Sequence, residues 1–399
     1  MTTTVCAIVP TFNRAAYLPE CLESLLGQTR RLDQIIVVND GSTDNTDEVL
    51  HAYVGKAQIL TQANAGKSAA LNNALSHCSA DYVWICDDDD IAQPDACAAL
   101  AGALDSNPDA GFAYGRYLRF CEVGGERQIV PMSYWPEHHE RALFLELLER
   151  CFICQFSSMI RHSVYREVGA FDSKQLRSQD YDMILRIARN HSGAFVDKPL
   201  FLQRWHSGSR GAAADRFSSD SSATKWLTYD RMIFDRLRGE LSLDELTPPF
   251  AQSLPATRMQ RAALLERACI SGRHAMWPEC IADLEQACAL APTTPASPDE
   301  QEIVKRTLSE LECVPFLIDD HRLRQRLQSL LTQSAFGRSI ADAFAAPLFW
   351  QIQLCATSRQ PAALWSRLRF LLALLGPSRV IGRGLTLALR RLLQRNVAS

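Results

Sequence analysis

No apolar run in this chain of 399 residues approaches the roughly 20 residues needed to cross a bilayer, so a membrane-spanning protein is not expected. The start of the chain, Met-Thr-Thr-Thr, has no basic segment leading into an apolar core, so no export signal is expected either. The 13 cysteines form no pair of CxxC knuckles, and Cys6, Cys86 and Cys154 lie within apolar runs. They read as free thiols of a reducing compartment rather than zinc ligands or disulfides. No G-x-G-x-x-G follows the first strand-like run, which argues against a dinucleotide fold. Ala65-Gly-Lys-Ser68 lacks the glycine that a phosphate loop requires five residues before Gly66, because position 61 is threonine. Acidic residues stop at Asp342, while Arg359, Arg367, Arg369, Arg379, Arg383, Arg390, Arg391 and Arg395 follow it. The formal net charge of -3 therefore hides a basic tail.

What the chain does have is 47% hydrophobic and 22% charged residues, enough for two globular domains. Val5 to Pro10, Gln34 to Asn39, Ile59 to Gln62 and Tyr82 to Cys86 are short apolar runs, each of the first three followed by a polar turn and a helical pattern. Strands alternating with helices predict a parallel sheet covered on both faces, with ligands at the carboxyl ends of the strands. The fourth run ends in Asp87-Asp-Asp-Asp90. Four adjacent carboxylates repel one another and cannot share a buried place without compensation. Their oxygen donors suit Mg²⁺ or Mn²⁺ with phosphate or water completing the shell. The alternative is an acidic surface turn.

Val9-Pro-Thr-Phe-Asn-Arg14, Val37-Val-Asn-Asp-Gly-Ser-Thr-Asp44, Asn64-Ala-Gly-Lys67, Ala70-Leu-Asn72 and Asp87 to Asp90 stand in one order and spacing. With Glu167-Val-Gly-Ala-Phe-Asp172, Ser178-Gln-Asp-Tyr-Asp182 and Arg204-Trp-His206, this set resembles the inverting family-2 nucleotide-sugar glycosyltransferases of GT-A fold. The resemblance covers about the first 215 residues. It implies an α/β catalytic domain with a Rossmann-like mixed sheet flanked by helices, and transfer of a sugar from a nucleoside-diphosphate sugar, UDP-sugar favoured, to an acceptor hydroxyl with inversion. A glycan or lipid-linked acceptor in bacterial surface polysaccharide, lipopolysaccharide or other glycoconjugate synthesis would fit. Nucleic acid is not an expected partner.

The resemblance also assigns roles. Pro10, Thr11 and Phe12 would line the base and ribose, although relatives often carry tyrosine at position 12. Asp40 would read the base through an imide N–H, against the alternative of an ordinary Asp-Gly turn. Lys67 would face the diphosphate. Asp89 would bind Mn²⁺ or Mg²⁺ directly, with His206 as a further metal ligand, while Asp87 and Asp88 would hold metal waters or the ribose. Asp180 would be the base. Relatives commonly have Glu-Asp where this chain has Gln179-Asp180, so a degenerate nucleotide-sugar-binding or scaffold protein is the rival reading. Asp182 is the reserve base, with a helix-start acid as its alternative.

Beyond residue 215 the pattern is helical throughout, with a Thr/Ser/Pro loop from Pro292 to Pro298. The expected division is 1–215, a helical extension over 216–348 and a basic amphipathic tail over 349–399. Leucine and tryptophan interleaved with arginine in that tail fit either an anionic membrane surface or packing on the protein's own core. The expected location is cytoplasmic, with attachment to the inner face of the cell membrane as the extension of that reading.

Overall fold

The computed structural model describes residues 3–130, 142–205 and 222–383. The chain divides into two compact units, one built from residues 1–139 and 146–229, the other from residues 140–145 and 230–399.

The first unit opens with β1 (Val5–Thr11), α1 (Leu18–Leu26), β2 (Gln34–Asn39), α2 (Thr46–His51), β3 (Gln58–Thr61), α3 (Lys67–His77) and β4 (Tyr82–Ile85). β1 is buried at every position, as a central strand covered on both faces must be. It runs parallel to β2 on one side and β4 on the other, and β2 is parallel to β3. α1 has proline in its first turn and buries Leu18, Cys21, Leu22 and Leu25, the spacing of one helix face.

Then follow β5 (Ile91–Ala92), α4 (Ala96–Ser106), β6 (Ala110–Val123), β7 (Glu126–Val130), α5 (Leu143–Glu149), β8 (Ser158–Arg161), α6 (His162–Val168), α7 (Gln179–Asn190) and β9 (Ser192–Arg204). β8 enters antiparallel between β4 and β6, and β9 is parallel to β6. The sheet order is β3-β2-β1-β4-β8-β6-β9-β5, with β7 on β6. This is the mixed, helix-flanked sheet that the GT-A resemblance implied. Because β1, β2 and β4 are parallel neighbours, their carboxyl ends deliver Thr11, Asp40 and Asp87 to Asp90 to one edge.

The helices of the second unit are α8 (Ser222–Glu240, which spans the division), α9 (Ala256–Arg273), α10 (Trp277–Leu290), α11 (Pro298–Arg306), α12 (Val314–Ile318), α13 (His321–Gln333), α14 (Ala335–Thr357) and α15 (Pro361–Leu375). The expected loop after α10 is present, and α11 starts on a capping box between Ser297 and Glu300. α14 begins well before position 349 and packs on α15. Phe344, Leu348, Gln351, Cys355, Arg367, Phe370 and Leu371 are all buried. No helix of the described residues is long and apolar enough to cross a membrane.

Candidate active site

The turns after β1 and β2 are tied together. Asn13, in the left-handed region at φ 54°, accepts from Thr43 N at 2.7 Å, and its own N–H donates to Ser42 Oγ at 2.9 Å. Gly41 lies at φ +72°, and a Cβ there would stand 2.7 Å from Asn64 N, so the Asp-Gly turn admits no side chain. Asp40, 4% exposed, accepts from Gln62 Nε2 at 2.7 Å, Ala65 N at 2.9 Å and Gly66 N at 2.8 Å. It thus anchors the loop that presents Lys67. A carboxylate has about four acceptor positions, so one remains for a ligand N–H. Pro10 and Thr11 are buried at the end of β1, and Phe12 is half-buried just beyond it.

The four carboxylates point to different partners. Asp87 Oδ1 takes Lys67 Nζ at 2.5 Å, while Asp90 Oδ1 accepts from Arg204 N at 2.9 Å. Arg14 Nε lies 4.0 Å from Asp88 and 3.9 Å from Asp89, beyond hydrogen-bond range. Burial and the adjacent Asp89 push the Asp88 carboxyl up to about 7, against the opposing pull of Thr11 and Arg14. Burial, then Asp89 and Asp87, hold Asp90 well above the ordinary carboxylate range. Arg204, 5% exposed, supports the cluster from below through Nε to the Asp89 carbonyl at 3.1 Å. Its terminal nitrogens reach Glu20 and Glu122, and its guanidinium lies 4.6 Å from the Phe120 ring centre.

Among the described residues no group of three or more His, Cys, Asp or Glu side chains is placed to hold a metal by protein ligands alone. The donor set nonetheless fits a hard divalent cation of the Mg²⁺ kind, which takes one or two carboxylates and leaves its other positions to phosphate and water. Asp88 and Asp89 stand side by side, with the Arg14 guanidinium 4.0 and 3.9 Å away, and would hold it. His206 lies outside the described residues.

Asp180 sits in the first turn of α7, directly after Ser178, whose backbone is also left-handed at φ 54°. One carboxylate oxygen accepts from Tyr181 N at 3.0 Å. Although Asp180 keeps part of its surface open, packing around the carboxylate is the largest influence on it and raises its pKa. Lys67 opposes that shift and Asp87 reinforces it. Burial alone would lower the pKa of Lys67, but Asp87 and Asp180 outweigh it and raise it. The fold therefore brings Lys67, Asp87 and Asp180 within electrostatic reach of one another across about 110 residues of sequence.

Asp182 has a different environment. It is 2% exposed and accepts from Arg186 Nε at 3.0 Å, and Arg186 in turn holds the carbonyls of Val168 at 2.9 Å and Ala170 at 3.0 Å. It braces α7 against the end of α6. Gln179 Oε1 is buried with no hydrogen-bond partner. Sequence reasoning gave no role to Arg14, Gln155 or Tyr165, and it passed over the spacing Cys151-Phe-Ile-Cys154. Neither cysteine is in a disulfide, and burial pushes the thiol of Cys154, which feels Tyr117 and Asp180, up to about 12.

Residues 6–169 match the family model described as glycosyl transferase family 2. An uncharacterized glycosyltransferase of Rickettsia felis is 34% identical over 211 residues, covering 51% of this chain and 34% of the relative. The chain thus spans about a third of the length of that relative. The glycosyltransferase GlyG of Streptococcus pneumoniae is 27% identical over 227 residues, covering 52% of this chain and 73% of GlyG. Among solved structures, S. aureus TarS 1-349 in complex with UDP-GlcNAc aligns at a TM-score of 0.49 with 16% identity, covering 87% of this chain and 91% of that one. The glycosyl transferase family 2 match thus falls almost wholly within the α/β unit of this chain.

Proposed function

We propose that the chain transfers a sugar from a nucleoside-diphosphate sugar, with UDP favoured, to an acceptor hydroxyl with inversion at the anomeric carbon. The observation that carries this reading is the meeting of Asp180, Lys67 and Asp87 beside the Asp88–Asp89 pair at the carboxyl edge of the parallel strands. Asp180 takes the acceptor proton as the hydroxyl attacks. Its raised affinity for a proton makes it a stronger base than an exposed carboxylate. Lys67 and Arg14 bring positive charge to the diphosphate, and the acceptor position left on Asp40 receives an imide N–H of the base. Mn²⁺ or Mg²⁺ on Asp89 and Asp88 would neutralise charge developing on the leaving diphosphate. The acceptor is a glycan or lipid-linked sugar of bacterial glycoconjugate synthesis.

Thermal shift with UDP-, GDP- and dTDP-sugars, with and without Mn²⁺, tests the donor, since a ligand of the native state raises the melting temperature. Release of free nucleoside diphosphate on adding acceptor tests turnover. Asp89→Asn should remove the Mn²⁺-dependent part of the shift, and an undiminished shift would refute the metal assignment.

A cytoplasmic location, peripheral on the inner face of the cell membrane, belongs to the same proposal. It is supported by thirteen cysteines outside any disulfide and by exposed Trp350, Leu354 and Trp365 in the segment after the last acidic residue. Trp350→Ser with Trp365→Ser should release the protein from anionic vesicles, and salt should do the same to the unaltered chain.

A further inference from the structure

Asp180 borders a second space. A small cavity of about 10 Å³ lies among β8, α6, α7 and the turn at Gln155, bounded by Ile153, Gln155, Tyr165, Asp180, Met183 and Ile184. Gln155 is 7% exposed and Tyr165 4%, and both Gln155 Oε1 and the Tyr165 hydroxyl are buried without a hydrogen-bond partner. Two orphaned polar atoms on residues that line one small void are unusual, because an unmet buried group costs about 1–3 kcal/mol. The room is close to what a single water needs, and a buried water commonly makes about three hydrogen bonds.

We propose that one ordered water occupies this cavity, accepting from the Tyr165 hydroxyl and donating to Gln155 Oε1 and to the Asp180 carboxylate. Tyr165 and Gln155 are then positioning residues for Asp180. Donors and acceptors balance: the tyrosine supplies one proton, the water supplies two, and the amide oxygen and carboxylate receive them. Tyr181 N–H holds Oδ1 of Asp180, so a second donor fixes the rotation of the carboxylate and favours its ionised form. The groups acting on that carboxylate are Lys67, Asp87, the Tyr181 N–H and the Cys154 thiol. The positioning role rests on Asp180 being the base proposed above, whereas the water site does not.

A high-resolution crystal structure of the full chain, with melting temperatures and pH–rate profiles of Tyr165→Phe and Gln155→Met, tests both parts. Expected are one well-ordered water within hydrogen-bond distance of Tyr165 and Gln155, and a lower melting temperature in each variant, which strands the water with one partner fewer. In Tyr165→Phe, where the water loses its donor and holds the carboxylate less firmly, the acid limb of kcat should move to higher pH, with the donor KM unchanged. An empty cavity overturns the proposal, as does a rise in melting temperature in both variants, the signature of removing a dry orphan. An unmoved acid limb with the water present overturns the positioning role. Normal turnover in Asp180→Asn overturns the base assignment and that role together, while density and melting still decide the water.

Discussion

The two units treat buried charge in opposite ways. Among the described residues of the helical unit, Glu300, Asp283 and Glu266, the acids buried as whole residues, each have a guanidinium at contact. Glu300 is held by Arg261 through two bonds of 2.7 and 2.8 Å, and Asp283 lies between Arg238 and Arg267, each at 2.7 Å. Glu266 is 3.1 Å from Arg306. In the α/β unit Asp87 to Asp90 crowd together, the Arg14 guanidinium stands 4.0 Å from Asp88 and 3.9 Å from Asp89, and Asp88 is pushed to about 7. Paired charges hold elements in place, since removing one partner strands the other. Crowded charges are costly on their own and are relieved by a cation or proton from outside, which is the property a site for a charged donor needs. The same contrast recurs within one helix turn, between crowded Asp180 and paired Asp182.

The largest expected effect comes from deleting the chain from Trp350. That removes buried Gln351, Arg367, Phe370 and Leu371, including Gln351 Nε2 bound to the Leu308 carbonyl at 2.6 Å and Arg367 bound to Gln351 at 3.1 Å. The helical unit should fail to fold and the protein should become insoluble. A soluble, cooperatively melting product would show that the pairing logic of this unit does not extend to α15.

Next is Asp180→Asn, which keeps size and removes the proton acceptor. Turnover should fall by about 10² to 10⁴ while donor affinity changes little. Asp182→Asn should instead lower the melting temperature by loosening Arg186, with the turnover of the folded fraction nearly kept. The reverse pattern would break the distinction between crowded and paired acids where it is drawn most finely.

Glu300→Gln probes the paired side alone. Breaking the bidentate contact leaves Arg261 buried at 1% exposure without its carboxylate, at a cost of about 3 kcal/mol or more in chemical denaturation. The Mn²⁺-dependent donor shift should be unchanged, because no residue of the α/β unit is touched.

Much of this contrast was legible in the sequence on one side only. Asp87 to Asp90 are adjacent in the chain, and β1, β2 and β4 are continuous apolar runs, so the strands and the carboxylate edge followed from local pattern. Partners distant in sequence had no such signal. Arg204 reaches Glu20 and Glu122, and Tyr165, Gln155 and Asp180 line one small cavity although they stand well apart in the chain. In the tail, arginine interleaved with leucine leaves a membrane surface and packing on the protein's own core both open, and gives no sign of which arginines are buried. Arg367 nevertheless lies inside, satisfied by Gln351 and the carbonyls of Ala363 and Leu311, a solution that exists only once α14 and α15 pack.

The smallest effect is a displacement along the pH axis. Asp180 serves as a base only when ionised, and burial raises its pKa above the ordinary aspartate value, so the acid limb of turnover should lie at higher pH than an exposed aspartate would give. The same shift means that the folded state holds this proton more tightly than the unfolded chain. The contribution of Asp180 to stability is therefore greatest at low pH and declines as pH rises through the folded pKa. Lys67 is the group that moderates the shift. In Lys67→Met the ammonium is lost and the Asp87 charge, no longer neutralised at 2.5 Å, acts on Asp180 unopposed. Both changes favour the protonated acid, so the acid limb of kcat should move to higher pH, and turnover measured well above the limb should recover most of its value even as the donor KM rises. A limb that moves to lower pH, or stays fixed while only KM changes, would mean that Asp180 does not feel the Lys67–Asp87 pair and that the crevice is not one electrostatic unit.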